Sequence, residues 1–184
     1  SILFTGDYEE QQKAFRELLL GLILALMLVY MVMASQFESL RHPFVILLTI
    51  PLAMVGAVGL LVILGLPLNI MSFIGMIMLA GIAVNDSIIL VDLINQQRRS
   101  GMDIEAAIIK GGQLRIRPIF MTSATTILAL FPLTLGIGEG VALRAPLAVA
   151  VIGGLVTSTL LTLVVIPSVY RILGGRMKMR TEKV

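Results

Sequence analysis

Five apolar runs, about Leu18 to Ala34, Pro43 to Leu64, Ile70 to Leu93, Pro118 to Leu135 and Ala145 to Leu173, occupy most of the chain. Each is close to or beyond the roughly 20 residues that carry a helix across bilayer hydrocarbon. The pattern predicts an all-α integral membrane fold, a five-helix transmembrane bundle spanning residues 18–173, with the overlong fifth run tilted or extending past the bilayer. Residues 1–17 read as a helical lead into the first span, with Glu9 and Lys13 at the favourable four-residue spacing. Residues 102–112 read as a short amphipathic helix that starts near Asp103, ends at Gly111-Gly112 and lies along the cytoplasmic interface. Residues 174–184 form a basic tail. Pro51, Pro132 and Pro167 fall inside spans two, four and five, where kinks are predicted. Gly56, Gly59, Gly75, Ala80, Gly81 and the Gly153-Gly154 pair are small enough to admit close helix contact.

Composition agrees with this pattern. Of 184 residues 58% are hydrophobic and 14% charged, and mean hydropathy is +1.01, too apolar for a water-soluble domain of this size. There is no Cys and a single His, His42, so thiolate and histidine-rich metal sites are not expected. The 11 Met residues form no clear helical stripe and read as space-filling. No cofactor and no metal are expected.

The net charge of +3 is distributed by topology. If the loops alternate sides, 11 of the 14 Lys and Arg residues fall on one side of the membrane and three on the other. The positive-inside rule then puts the N-terminus outside and the C-terminus in the cytoplasm. Because the basic residues flank apolar runs, nucleic acid is not an expected partner. The opening Ser1 to Asp7 lacks the basic region of a signal peptide, so this outward N-terminus is expected to follow upstream sequence of a longer polypeptide.

The candidate chemistry lies in the third span. Asn85 and Asp86 sit well inside an apolar run, and a carboxylate at such depth costs about 2.5 to 3.5 kcal/mol on insertion scales, which makes it a proton or ion site by default. On a helical wheel Gly81, Asn85, Ile88 and Asp92 share a stripe, with Asp86 about 100 degrees round from Asn85. Asp92 is nearer the cytoplasmic end and is a secondary candidate, equally readable as a solvated interfacial carboxylate. In the fourth span Thr122 and Thr126 share a face, and Arg115 lies seven residues before Thr122 on the same stripe. Counted from the cytoplasmic ends of their spans, Asp86 and Thr126 are expected at similar depth. Asp86, Asn85, Thr122, Arg115 and Thr126 are the candidate proton relay. The competing reading of the hydroxyls is structural, because Ser and Thr in membrane helices bond back to their own carbonyls or join helices. Thr157, Ser158, Thr159 and Thr162 in span five read as packing residues.

The string Gly81-Ile82-Ala83-Val84-Asn85-Asp86-Ser87-Ile88-Ile89-Leu90-Val91-Asp92, followed by Arg115-Ile116-Arg117-Pro118-Ile119-Phe120-Met121-Thr122-Ser123, resembles the resistance-nodulation-division (RND) efflux permeases. Tyr30 to Leu40, Ile50 to Ala53, Gly136 to Gly140 and Ala150 to Gly154 extend the resemblance over essentially the whole chain. It implies the C-terminal transmembrane portion of such a permease, spans eight to twelve of twelve. It also implies the bacterial inner membrane, a homotrimer when full length, a periplasmic adaptor and an outer-membrane channel as partners, and exchange of protons for substrate. The hydrophobe/amphiphile branch fits best, since the position that tends to be acidic in metal exporters is Asn85. That position is a relay lysine in well-known drug pumps, so the cation is missing here. Arg115 and Thr122 match positions implicated in the proton pathway, whereas the family's principal aspartate pair lies in a span this chain does not contain.

Two other readings compete. The chain could be a non-transporting membrane subunit or truncated relic packing in a larger complex. An intramembrane aspartyl protease using Asp86 and Asp92 fails on geometry, because six residues on one helix turn the two carboxylates about 240 degrees apart.

Overall fold

The computed structural model describes residues 2–37, 41–135 and 140–174, all of the regular structure being helical. Six helices follow in order: α1 (Ile2–Phe37), α2 (Arg41–Leu47), α3 (Thr49–Ile63), α4 (Ile70–Arg99), α5 (Ile104–Thr134) and α6 (Val141–Gly174). Five stretches are long and apolar enough to cross a membrane, with α2 and α3 together making the second. The predicted all-α bundle and its five spans are therefore observed. The basic tail from residue 175, Glu38 to Leu40 of the Tyr30 to Leu40 motif and Gly136 to Glu139 of the Gly136 to Gly140 motif lie outside the described residues.

Local chemistry sets the helix ends. Pro51 has no N–H to give the carbonyl four residues back, Leu47, and its ring crowds that turn. The chain breaks there, at Leu48 between α2 and α3, and the Thr49 hydroxyl caps the break by donating to the Ile46 carbonyl at 2.7 Å. By contrast α5 runs on through Pro118 and Pro132, and α6 through Pro167, so only Pro51 coincides with an interruption. α4 opens on a capping box, in which Asn69 Oδ1 accepts from the Ser72 N–H at 2.9 Å and Ser72 Oγ accepts from the Asn69 N–H at 2.9 Å. α3 and α4 end at Gly65 and Gly101, whose φ values of 66° and 88° are open chiefly to glycine. The following N–H groups of Leu66 and Met102 reach back to Leu61 and Gln97.

One expectation is corrected. The segment from residue 102 is helical, with Asp103 at its N-cap position, but it does not end at Gly111-Gly112 and is not a separate helix. Gly111 is buried where α5 crosses α4, and a Cβ there would come within 2.9 Å of Ile94 Cγ1. Of the two glycines that look like a terminator in sequence, Gly111 instead provides a crossing point, Gly112 has no neighbouring atom within 4 Å of where a Cβ would stand, and α5 continues through both. The lead is likewise continuous with the first span as α1.

α6 is the central helix, packed against α3, α4 and α5, while α1 touches only α2 and α4 among the described elements. Lipid tails are as apolar as Leu, so helices in a membrane gain most from close van der Waals approach at small residues. The α3–α6 crossing shows it: a Cβ on Gly153 would lie 2.6 Å from Leu60 Cβ and 2.8 Å from the Gly56 carbonyl, and one on Gly56 would overlap Thr157. On α4, Gly75 presses against the Leu147 backbone and Leu79 fills the space over Gly154. Gly59 and Gly81, also expected at contacts, have open space where a methyl group would stand, with no neighbouring atom within 4 Å of it. Thr157, Ser158, Thr159 and Thr162 do pack: Thr159 and Ser123 of α5 share a hydrogen bond at 2.8 Å, and Ser158, Thr159 and Thr162 are buried. Ser87 Oγ donates to the Ala83 carbonyl at 2.7 Å and lies 3.3 Å from Thr49 Oγ1, tying α4 to α3.

Candidate functional site

The Ile94–Gly111 crossing sets the antiparallel register of α4 against α5. Asp86 lies eight residues before Ile94, and Ile119 lies eight residues after Gly111, so each is about 12 Å from the crossing and the two are level. Around that level a pocket of about 80 Å³ is lined by Asn85, Asp86 and Ile89 of α4 and by Arg115, Pro118, Ile119 and Thr122 of α5. Four of the five candidate relay residues therefore share one small polar hollow. Thr126 does not line it, because the true register is about two turns nearer the N-terminal end of α5 than equal counting from span ends implies.

Asp86 is half-buried and shares the pocket with Arg115. Thr122 Oγ1 donates to the Ile119 carbonyl at 3.0 Å, which leaves its lone pairs free to accept. Thr125 and Thr126 commit their hydroxyl protons in the same way, to Met121 at 2.7 Å and Thr122 at 2.9 Å. The structural reading of these threonines and the polar-site reading of Thr122 are thus compatible, since one proton is committed and the oxygen is still an acceptor. Pro118, not singled out from sequence, adds a second polar consequence: lacking an N–H, it frees the Leu114 carbonyl one turn before it. The signal was present in the Arg117-Pro118 step, but nothing in sequence said which helix faced it.

Asn85 is exposed and borders two hollows. Besides the Asp86 pocket it lines a cleft of about 410 Å³ between α1 and α4, otherwise walled by apolar and small residues such as Leu26, Val29, Ala80 and Gly81. Phe15 of α1 and Phe73 of α4 close the upper part of that seam by an edge-to-face contact, ring centroids 5.4 Å apart. Asp92 is exposed and does not join the Asp86 pocket. It lines a separate hollow of about 180 Å³ with Asn95, Gln96 and Arg99, all on α4.

These observations define a polytopic membrane segment that keeps a carboxylate, a guanidinium, a hydroxyl and an amide together inside its spans. The chain belongs to the AcrB/AcrD/AcrF family of RND efflux transporters, whose match covers residues 1–174. It is 39% identical over 171 residues to the swarming motility protein SwrC of Bacillus subtilis, covering 92% of this chain and 16% of that protein. It is 37% identical over 173 residues to the multidrug resistance protein MdtC of Proteus mirabilis, covering 94% and 17%. Its fold is similar to that of a crystal structure of a heavy metal efflux pump, with a TM-score of 0.81 and 36% identity over 92% of this chain and 16% of the pump. The chain thus spans about a sixth of the length of the relatives it matches.

Proposed function

We propose that this chain is the C-terminal membrane part of a proton-driven efflux permease of the multidrug or amphiphile type, and that α4 and α5 supply part of its proton relay. The observation that carries this reading is the single pocket shared by Asp86, Arg115, Thr122 and Asn85. In it Asp86 takes up and releases the proton. Arg115 supplies the counter-charge that lets a carboxylate stay in the span, and it approaches from the end that carries the excess of basic residues. The Thr122 oxygen and the Asn85 amide accept or donate to either protonation state, so neither state is left unpaired in a region without bulk water. The N-terminus faces the periplasm and the C-terminus the cytoplasm of a bacterial inner membrane. The remainder of the permease, a homotrimeric assembly, a periplasmic adaptor and an outer-membrane channel complete the machine.

The amphiphile branch is supported by Asn85, a neutral amide bordering an apolar cleft, at the position where metal exporters tend to be acidic. The test is Asp86→Asn in the native polypeptide carrying this segment, reconstituted in vesicles with a pH gradient. Loss of both substrate export and substrate-linked proton flux, at unchanged protein level and melting temperature, is the expected result. Retention of both would leave the segment a packing scaffold.

A further inference from the structure

One stripe of α5 points away from the Asp86 pocket and has a chemistry of its own. Lys110, Gln113, Leu114, Arg117 and Met121 follow at intervals of three, one, three and four residues, which places them on one face, and all five are exposed. Leu114 and Met121 expose 53% and 70% of their surface. Arg117 lies two residues from Arg115, hence about 200 degrees round the helix, so one arginine serves the pocket and the other faces outward. Depth follows from length. α5 has 31 residues, about 46 Å, against a hydrocarbon core of about 30 Å. Counting about 20 residues back from its apolar end at Thr134 puts the inner boundary near Arg115. Arg117 then sits just inside that boundary with a side chain long enough to reach back to it, Lys110 sits outside it, and Met121 lies in the acyl region.

We infer that Lys110 and Arg117 hold the phosphate headgroup of an anionic phospholipid while Met121 packs along its acyl chain. The cations lie at headgroup level and Met121 lies one turn deeper than Arg117, the same order of charge and hydrocarbon that the lipid presents. A guanidinium meets two phosphate oxygens at once, and Gln113 between the two cations adds a hydrogen-bond donor. A protein helix would be a poorer occupant, because matching Lys110 and Arg117 with carboxylates at this depth requires desolvating two more charges, whereas lipid phosphates already stand there. The inference rests on α5 spanning the membrane and is independent of the proton relay.

The test is native mass spectrometry of the native polypeptide in detergent, titrated with phosphatidylglycerol or phosphatidylcholine. Phosphatidylglycerol is expected to be retained preferentially, by about five-fold for each cation engaged. Lys110→Gln/Arg117→Gln should lose that preference, Lys110→Arg should keep it, and Lys13→Gln/Arg16→Gln, which removes two exposed cations from α1, should leave it unchanged. Melting curves of each variant guard against misfolding. The proposal is overturned by equal preference in Lys110→Gln/Arg117→Gln, or by equal loss in the α1 double variant. A nitroxide at Met121→Cys that is shielded from oxygen in vesicles would also overturn it, because protein and not lipid would then cover the stripe. Export and proton flux in these variants report separately on the relay.

Discussion

Asp86 on α4 and Arg115 on α5 line the same 80 Å³ pocket although 29 positions separate them, because the Ile94–Gly111 crossing brings their helices into register. If the two groups work as a pair, their substitutions are not additive. Asp86→Asn and Arg115→Gln should each reduce proton-linked export by at least about tenfold, and the double variant should be little worse than either single one, a coupling of about 0.5 to 3 kcal/mol. Vesicle transport assays on the four members of the cycle measure it. Additive losses would separate the two residues functionally.

Thr122 and Thr126 look equivalent on a helical wheel but not in space. Thr122→Val is expected to slow export, whereas Thr126→Val, which removes only a back-bond to the Thr122 carbonyl, should leave transport within about two-fold, since such bonds add little to a helix. Equal loss in both would restore the whole threonine stripe to the relay.

The glycines divide by what lies over them. Gly153→Ala places a methyl group against Leu60 Cβ and the Gly56 backbone, neither of which can turn aside, and should destabilise the bundle by about 1 to 3 kcal/mol. Gly59→Ala, with open space around it on α3, should be neutral or raise stability by up to about 1 kcal/mol through helix propensity. Thermal unfolding in detergent separates the two.

The Ser123–Thr159 bond at 2.8 Å joins α5 to α6 inside the bundle. Ser123→Ala and Thr159→Val should show a coupling near about 0.6 kcal/mol in a double-mutant cycle, the modest value usual for hydrogen bonds between membrane helices. A coupling above about 2 kcal/mol would mark this pair as a main joint of the fold.

The cap on α4 is a local matter. Asn69→Ala removes the Ser72 N–H acceptor and should cost about 1 kcal/mol, visible as faster amide exchange in the first turn of α4 and not elsewhere.

Much of the architecture was legible in the order of residues, and for a reason peculiar to membranes. Hydrocarbon forbids unpaired backbone groups, so long apolar runs have to be helices, and five such runs were readable directly. The missing N–H predicted kinks at Pro51, Pro132 and Pro167 alike, and of these only Pro51 stands at a helix break. What failed were inferences needing knowledge of neighbours. Gly111-Gly112 resembles a helix stop, yet Ile94 packed onto Gly111 makes it a crossing point.

For the site, residue types and helical spacing were enough to select Asp86, Asn85, Arg115 and Thr122, because a carboxylate in hydrocarbon is too costly to be incidental and Arg115 and Thr122 share one face of the next span. Their assembly depended on the tertiary structure. Depth counted from each span's end placed Asp86 beside Thr126, but the register comes from side-chain packing between helices, which chose Ile119 and Thr122 instead. Thus the sequence alone determined that helices cross the membrane and which polar groups they carry, since both follow from transfer energies of single residues. Only the packed bundle decided which of those groups meet, because that depends on where one helix can approach another closely enough to touch.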